Sequence, residues 1–250
     1  MKTESLGGFD RFRVPAALLV IAIHTGPLLS LNGEANYLLT DILARIAVPF
    51  FFSVSGWFLV PRLLREGRAA LIPFVKKLLL LYGAAVLLYL PLNLYNHTLE
   101  ESGFALLRDV LFNGTFYHLW YFPALVLGAC LVYGLLRILG PRWAWLPALL
   151  LYAAGLLGDS YFGLTAALPP LRAGYEALFL LFDYTRNGLF FPPVFLLLGG
   201  WLALRPARRS AAWYGAGLLL SLALLTAEEQ EKAIQKGMGA IENLCGFKPK

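Results

Sequence analysis

The chain has 250 residues, of which 59% are hydrophobic and 14% charged, and its mean hydropathy is +0.66. A soluble domain usually carries about 25% charged residues. This composition therefore excludes an ordinary soluble protein and indicates a membrane protein. The net charge of +6 then reports orientation, and no basic stripe interleaved with aromatics points to nucleic acid.

Seven apolar runs are long enough, or nearly long enough, to cross a bilayer as helices. The fifth is short, since a spanning helix needs about 20 residues. The long connection before the sixth predicts an interfacial helix at 175–182. The fold is therefore expected to be all-α, a polytopic transmembrane helix bundle. The predicted spans are residues 13–32, 38–61, 72–95, 118–138, 143–158, 187–204 and 211–226.

Positive charge is concentrated in alternate connections between these spans. The connections on one side hold thirteen Lys and Arg residues and those on the other side hold three. Because Lys and Arg are enriched in cytoplasmic loops, the basic side and the N-terminus are predicted to be cytoplasmic. The three cations on the opposite side are Arg108, Arg172 and Arg186.

The composition changes near residue 226. The last segment is charged, and Ile234, Met238 and Ile241 recur on one stripe of a predicted helix. We therefore predict a transmembrane domain at 1–226 and a soluble amphipathic tail at 227–250.

The first span carries two ionisable residues, Arg13 and His24. Eleven residues correspond to about 16 Å and about three turns of helix, so both side chains should share one face. The simplest interpretation is that Arg13 reaches lipid phosphates and His24 packs in the bundle. The functional alternative is that His24 is a general base near the bilayer midplane, since a neutral imidazole suits proton abstraction from a hydroxyl.

Other polar residues lie near the ends of the spans. Ser53, Ser55 and Gly56 predict close helix packing rather than a nucleophilic serine. Lys76 and Lys77, with Arg68, form part of a cytoplasmic basic cluster that fits either anionic lipid or the phosphates of a cytoplasmic ligand. The predicted outer ends hold His118, Trp120, Arg186 and Asn187. The three histidines and two cysteines have no metal-ligand spacing, so no metal site is expected.

The order of these motifs resembles a known family. Arg13 and His24 separated by ten residues, followed by PFFFSVSGWFL and HLWYFPALVLG, resemble membrane acyltransferase family three. The stretches KKLLLLYGAAVLLYLPLNLY and TRNGLFFPPVFLLLGGWLA are similar to the membrane domain of vancomycin-resistance serine racemases. The resemblance covers residues 9–225 and implies that the protein lies in the cytoplasmic membrane of a bacterium. The tail resembles the start of a polysaccharide deacetylase domain, and the chain resembles a truncated member without the family's later spans.

The resemblance implies an enzyme that moves an acyl group, expected to be acetyl, from cytoplasmic acyl-CoA to a hydroxyl. The acceptor would be an extracytoplasmic or membrane-linked carbohydrate or another cell-envelope molecule. It implies His24 as catalytic base and Arg13 as its cationic partner. It also implies Lys76, Lys77 and Arg68 at the CoA phosphates, and His118, Trp120, Arg186 and Asn187 on the substrate side. Transport of serine or another small solute, or an inactive fragment, remains the alternative.

Overall fold

The structure, a computed structural model, describes residues 7–96, 102–116 and 118–205, together with positions 217 and 223. The described chain is built from helices and turns, which confirms the predicted all-α fold. The α-helices are α1 (Gly7–Thr25), α2 (Gly33–Tyr37), α3 (Ala47–Glu66), α4 (Arg68–Tyr95), α5 (Gly103–Arg108), α6 (Tyr121–Trp143), α7 (Trp145–Gly158), α8 (Phe162–Ala166), α9 (Pro169–Leu178) and α10 (Pro192–Leu204).

Three helical stretches are long and apolar enough to cross a membrane by length and composition. They are the continuous stretch Gly33–Glu66, then α4 and α6, and α7 and α10 are shorter apolar helices. Most of α4 is exposed in the chain alone. An apolar helix surface of that kind requires lipid or further protein against it. The predicted seventh span and the predicted tail lie outside the described residues, apart from positions 217 and 223.

The predicted first and second spans have different ends in the structure. The prediction that the first helix reaches residue 32 is wrong, because α1 ends at Thr25 and Gly26 follows with φ of 52°. A glycine in this left-handed conformation is a common helix terminator. The next helical stretch begins at Gly33, where Asn32 caps α2 by accepting a hydrogen bond from the Ala35 N–H at 3.0 Å.

Two further helix boundaries differ between the prediction and the structure. The predicted interfacial helix at 175–182 is instead α9, Pro169–Leu178, because Pro169 and Pro170 occupy its first turn. The predicted sixth span begins not at residue 187 but at Pro192, again with two prolines in the first turn. Residues 186 and 187 therefore lie in the segment before α10.

The described helices fall into two compact units, one within residues 7–48 and the other within residues 49–205. In the first unit, α1 packs against the π-helical turn Leu38–Leu43 and the 3₁₀ turn Ala44–Ile46. In the second unit, α6 packs against α4, α7 and α10. The predicted close approach at Gly56 is confirmed, because a Cβ there would overlap the carbonyl group of Leu196 in α10.

In the second unit, the end of α3, the start of α4 and the ends of α6 and α10 carry basic residues, and they lie near one another. The turn between α3 and α4 is beside the later half of α6, since a Cβ at Gly67 would be 4.0 Å from the Tyr133 hydroxyl. The end of α10 is beside α3, where Gly200 meets Val60. The connecting segments 102–116 and 179–191 meet elsewhere in the unit, through contacts of Asn113 with Asp183 and Tyr184.

Candidate functional site

Arg13 and His24 both lie on α1, as predicted. The helix is unbroken between them, so their Cα atoms are about 16 Å apart along its axis and within about 20° around it. Arg13 forms an ion pair with Asp10 at 2.9 Å, and both side chains are exposed. His24 is the next-to-last residue of the helix, so it lies at a helix end rather than in the middle of a longer helix.

Among the described residues of the first unit, α1 packs through a side other than the one that carries Arg13 and His24. The buried residues of the described helix are Ala16 and Ala22, and this side meets residues 38–46. Helical geometry places Arg13 and His24 well over 90° away from the centre of that side, and both are exposed. The His24 side chain is therefore exposed on a side of α1 other than the one that meets residues 38–46.

The predicted phosphate-binding cations lie on α4. Arg68 begins the helix, and Lys76 and Lys77 follow about 12 Å further along its axis. All three side chains are exposed, and none of them forms an ion pair within the described part of the chain. A ligand with several phosphate groups could contact both Arg68 and the lysine pair across this distance.

An apolar groove lies beside Lys76, between α4 and α6. Its cavity volume is about 500 Å³, and Lys76 is its charged lining residue. Such a groove with a cation on its wall suits an amphiphile with an anionic head. The apolar lining comes chiefly from Leu71, Val75, Leu79, Leu80 and Cys130.

His118 and Trp120 lie in aromatic surroundings just before α6. The His118 ring packs edge-on against Tyr89 at 4.8 Å and Phe116 at 5.0 Å between centroids. The Trp120 ring contacts Phe52 and Phe191, each at 6.3 Å. Both side chains are half-buried, so each combines a packing role with a partly open surface.

Arg186 and Asn187 are neighbours in sequence with different environments. Arg186 is exposed and pairs with Asp159 at 3.6 Å. Asn187 is fully buried; its Oδ1 accepts from the Leu189 N–H at 3.0 Å and its Nδ2 donates to the Tyr184 carbonyl at 3.1 Å. Those bonds shape the turn before α10, and a substrate contact would have to replace them.

A polar cluster that the sequence did not single out joins two connecting segments. Arg108 Nη2 is 2.9 Å from Asp183 Oδ1 and 4.0 Å from Asp109 Oδ1. The Asn113 amide nitrogen donates to both carboxylates, to Asp109 at 2.8 Å. The Asn113 carbonyl accepts from the Tyr184 hydroxyl at 3.1 Å. Burial raises the pKa of Tyr184 to about 12, so this hydroxyl stays protonated.

The sequence indicates only part of this cluster, through residues that are close to one another in the chain. Arg108, Asp109 and Asn113 are spaced for contact on one helical turn, but Asp183 is 70 residues after Asn113. Nothing in the sequence pattern pairs those segments. In the structure, His118 lies in the same unit as this cluster, whereas Arg13 and His24 belong to the first unit.

Two curated relatives from enterococci are similar to most of this chain. An amino-acid racemase from Enterococcus faecalis is 45% identical over 209 residues, covering 83% of this chain and 29% of the racemase. A serine/alanine racemase from Enterococcus gallinarum is 42% identical over 225 residues, covering 86% of this chain and 32% of the racemase. The chain thus spans less than a third of the length of these curated relatives. No solved structure matches it significantly.

A family model described as an acyltransferase domain, that of acyltransferase family three, matches residues 6–227. The match covers most of the chain, including α1 with Arg13 and His24 and the helices of the second unit. The apolar helices and this match together identify an integral membrane protein, and the chain belongs to acyltransferase family three, a family of membrane acyltransferases.

Proposed function

We propose that the chain transfers an acyl group from acyl-CoA to a hydroxyl of a carbohydrate or another cell-envelope acceptor. The observation that carries the proposal is the shared face of α1, on which a cation and an exposed imidazole lie about 16 Å apart. A base can take a proton from a hydroxylated acceptor, and a cation can attract an anionic donor. The two groups on one helical face therefore suit a reaction between such a donor and acceptor. The family match supports acyl transfer as the reaction class.

His24 would act as general base in this reaction. Its neutral imidazole takes the proton of the acceptor hydroxyl while the oxygen attacks the thioester carbonyl carbon. The carbon–sulfur bond then breaks, and the departing thiolate takes the proton from the imidazolium. The products are an ester and free CoA, and no other reactant is needed.

The donor would bind through cations that the described chain leaves exposed. Lys76 and Lys77 would meet its phosphate groups, and the apolar groove beside Lys76 would take the pantetheine arm. Arg68 can contact a second phosphate about 12 Å away. Arg13, which pairs with Asp10 at 2.9 Å, would act as the cationic partner of His24 on the same helix.

His24→Gln tests this role because glutamine keeps a polar side chain of similar size but cannot accept and return a proton at neutral pH. Transfer of labelled acetyl groups in membranes should fall about 100-fold or more, the range typical of a general base. Arg13→Gln should also lower transfer. Arg11→Gln is the matched control, since Arg11 is an exposed arginine on another face of the same helix.

The proposal fails if His24→Gln, present in membranes at the normal amount, transfers acetyl groups at the normal rate. An equal loss in Arg11→Gln and Arg13→Gln would contradict the specific role of the shared face, since it would indicate a general charge effect on insertion.

A second candidate function is the handling of an amino acid, such as serine transport. The observation that favours it is the 42–45% identity to proteins named amino-acid racemase and serine/alanine racemase. In those relatives the similar region is about 30% of the length. Uptake of labelled serine by vesicles, measured beside labelled acetyl transfer, separates the two functions, because each predicts a signal that the other lacks.

A further inference from the structure

The apolar groove between α4 and α6 lies open at the surface of the second unit. Its volume is about 500 Å³; six of its seven lining residues belong to α4, and Cys130 belongs to α6. Ile72, Leu79 and Leu80 on its wall are each more than half exposed. Apolar surface of this kind is unfavourable in water and favourable against hydrocarbon. The groove therefore suits a hydrocarbon chain.

The part of the groove nearest the start of α4 is basic. Lys76 is the charged residue of its lining. Because the side chains of a helix tilt towards its N-terminus, Lys76 extends towards Arg68 while its stem covers apolar surface. Helical geometry puts Arg68 within about 20° of Val75 and Leu79 around the axis. Arg68 and Lys76 therefore stand on the groove side of α4, about 12 Å apart along the helix.

A third cation comes from α6. A Cβ at Gly67 would be 4.0 Å from the Tyr133 hydroxyl, so this part of α6 lies beside the start of α4. Arg137 follows Tyr133 by about one helical turn and is within about 20° of Cys130 around the axis, which puts it on the groove side of α6. Like the two cations of α4, Arg137 is exposed and forms no ion pair within the described residues.

The charge of this basic part is complementary to an anion. The neighbouring carboxylate, that of Glu66, already pairs with Arg62 at 3.4 Å and with Arg65 at 3.6 Å. A soluble anion would neutralise the three cations but leave the apolar wall uncovered, and a lipid without net charge would do the reverse. A phospholipid with a net negative headgroup supplies both contacts, because its phosphate group binds Lys and Arg and its chains are hydrocarbon.

We propose that the groove binds an anionic phospholipid, with the phosphate group among Arg68, Lys76 and Arg137 and one acyl chain against Leu79 and Leu80. The acyl donor occupies the same groove under the proposed function, so the lipid and the donor compete for it. That competition rests on the proposed function, whereas lipid binding does not.

The test measures labelled phosphatidylglycerol bound to the immobilised full chain in detergent micelles. Unlabelled competitors separate the contributions of charge and chain: phosphatidylglycerol, phosphatidylcholine with the same acyl chains, and glycerol 3-phosphate, which has the charge without the chains. Each Lys or Arg beside an anionic headgroup strengthens binding by about 5-fold. Displacement should therefore require at least about 10-fold more phosphatidylcholine than phosphatidylglycerol, and glycerol 3-phosphate should not displace the label.

Two variants locate the site. Lys76→Gln should weaken phosphatidylglycerol binding by about 5-fold. Lys77→Gln is the matched control and should leave it unchanged, because Lys77 is an exposed lysine that does not line the groove and stands about 100° around the helix from Lys76. Cys130→Phe should also weaken binding, since it places an aromatic ring in the groove without changing the charge.

The proposal is overturned if unlabelled phosphatidylglycerol does not displace the label, or if phosphatidylcholine or glycerol 3-phosphate displaces it equally well. It is also overturned if Lys76→Gln and Lys77→Gln bind phosphatidylglycerol equally, since that result indicates a general surface charge. The competitor series on the unsubstituted chain keeps the test decisive if a variant does not fold.

Acetyl-CoA as a further competitor separates this proposal from the proposed function. Displacement of the labelled lipid by acetyl-CoA supports a shared groove. If phosphatidylglycerol displaces the label and acetyl-CoA does not, the lipid site stands, and the placement of the donor in this groove is wrong.

Discussion

The contact between α3 and α10 makes a sharp prediction about Gly56. A Cβ at this position would overlap the carbonyl oxygen, carbonyl carbon and Cα of Leu196. These are backbone atoms of a helix, so they cannot rotate away as a flexible side chain would. The Gly56→Ala variant must therefore move the helix axes apart by about 1 Å or more to restore ordinary contact distances.

The magnitude follows from two opposing effects. Alanine is favoured over glycine within a helix by about 1 kcal/mol, whereas overpacking a close contact costs about 1–3 kcal/mol. Gly83→Ala is the control, because Gly83 is in α4 and a Cβ there meets nothing within 4 Å. Both variants gain helix propensity, so the difference between them isolates the packing cost at about 1–3 kcal/mol.

Thermal unfolding in detergent, followed by circular dichroism, measures this difference. At about 2–4 °C per kcal/mol for a chain of this size, Gly56→Ala should unfold several degrees below Gly83→Ala. Gly199→Ala should behave like Gly56→Ala, because its Cβ would overlap the Ser53 carbonyl oxygen. If Gly56→Ala unfolds at or above the temperature of Gly83→Ala, the backbone contact between α3 and α10 is refuted.

The segment before α10 gives three further predictions. Asn187→Ala should lower the free energy of unfolding by about 1–3 kcal/mol, because it removes the bonds to Leu189 and Tyr184; unchanged denaturant midpoints would contradict that role. Thr185→Val should cost about 1–2 kcal/mol in the same assay, since the buried hydroxyl donates to the Gly155 carbonyl at 2.6 Å, and Thr185→Ser should lose less. Because the pKa of Tyr184 is raised from 10.0 to about 12, its contribution to stability is present below pH 10 and lost as the pH rises towards 12. Tyr184→Phe should show a smaller loss of stability over that range than the unsubstituted chain, and equal losses would argue against burial of the hydroxyl.

Much of the helical framework could be predicted because membrane helices are encoded locally. A long apolar run needs no distant partner to become a helix, since a backbone in lipid must satisfy its hydrogen bonds within the segment. The predicted spans at 72–95 and 118–138 therefore correspond to α4 and α6 with small changes at their ends. The approach at Gly56 could also be predicted, because small residues allow close packing.

The helix ends were predicted less well, for a physical reason that is visible at Gly26. The residues after it remain apolar, so hydropathy continues through a position at which the backbone turns. The φ of 52° at Gly26 ends α1, and Asn36 accepts from the Leu28 N–H at 3.1 Å to hold the turn. Hydropathy measures partition into lipid, whereas a helix end is set by such individual backbone and side-chain bonds.

The fold class, the long apolar helices and the placement of Arg13 and His24 on one helical face follow from the amino-acid sequence, because composition and helix geometry set them. The burial of Asn187 within its own turn is visible only in the three-dimensional structure. The same holds for the contact of Asn113 with Asp183, 70 residues later in the chain, beside Arg108. Periodicity describes one helix at a time, whereas a contact between two connecting segments depends on how all the helices between them pack.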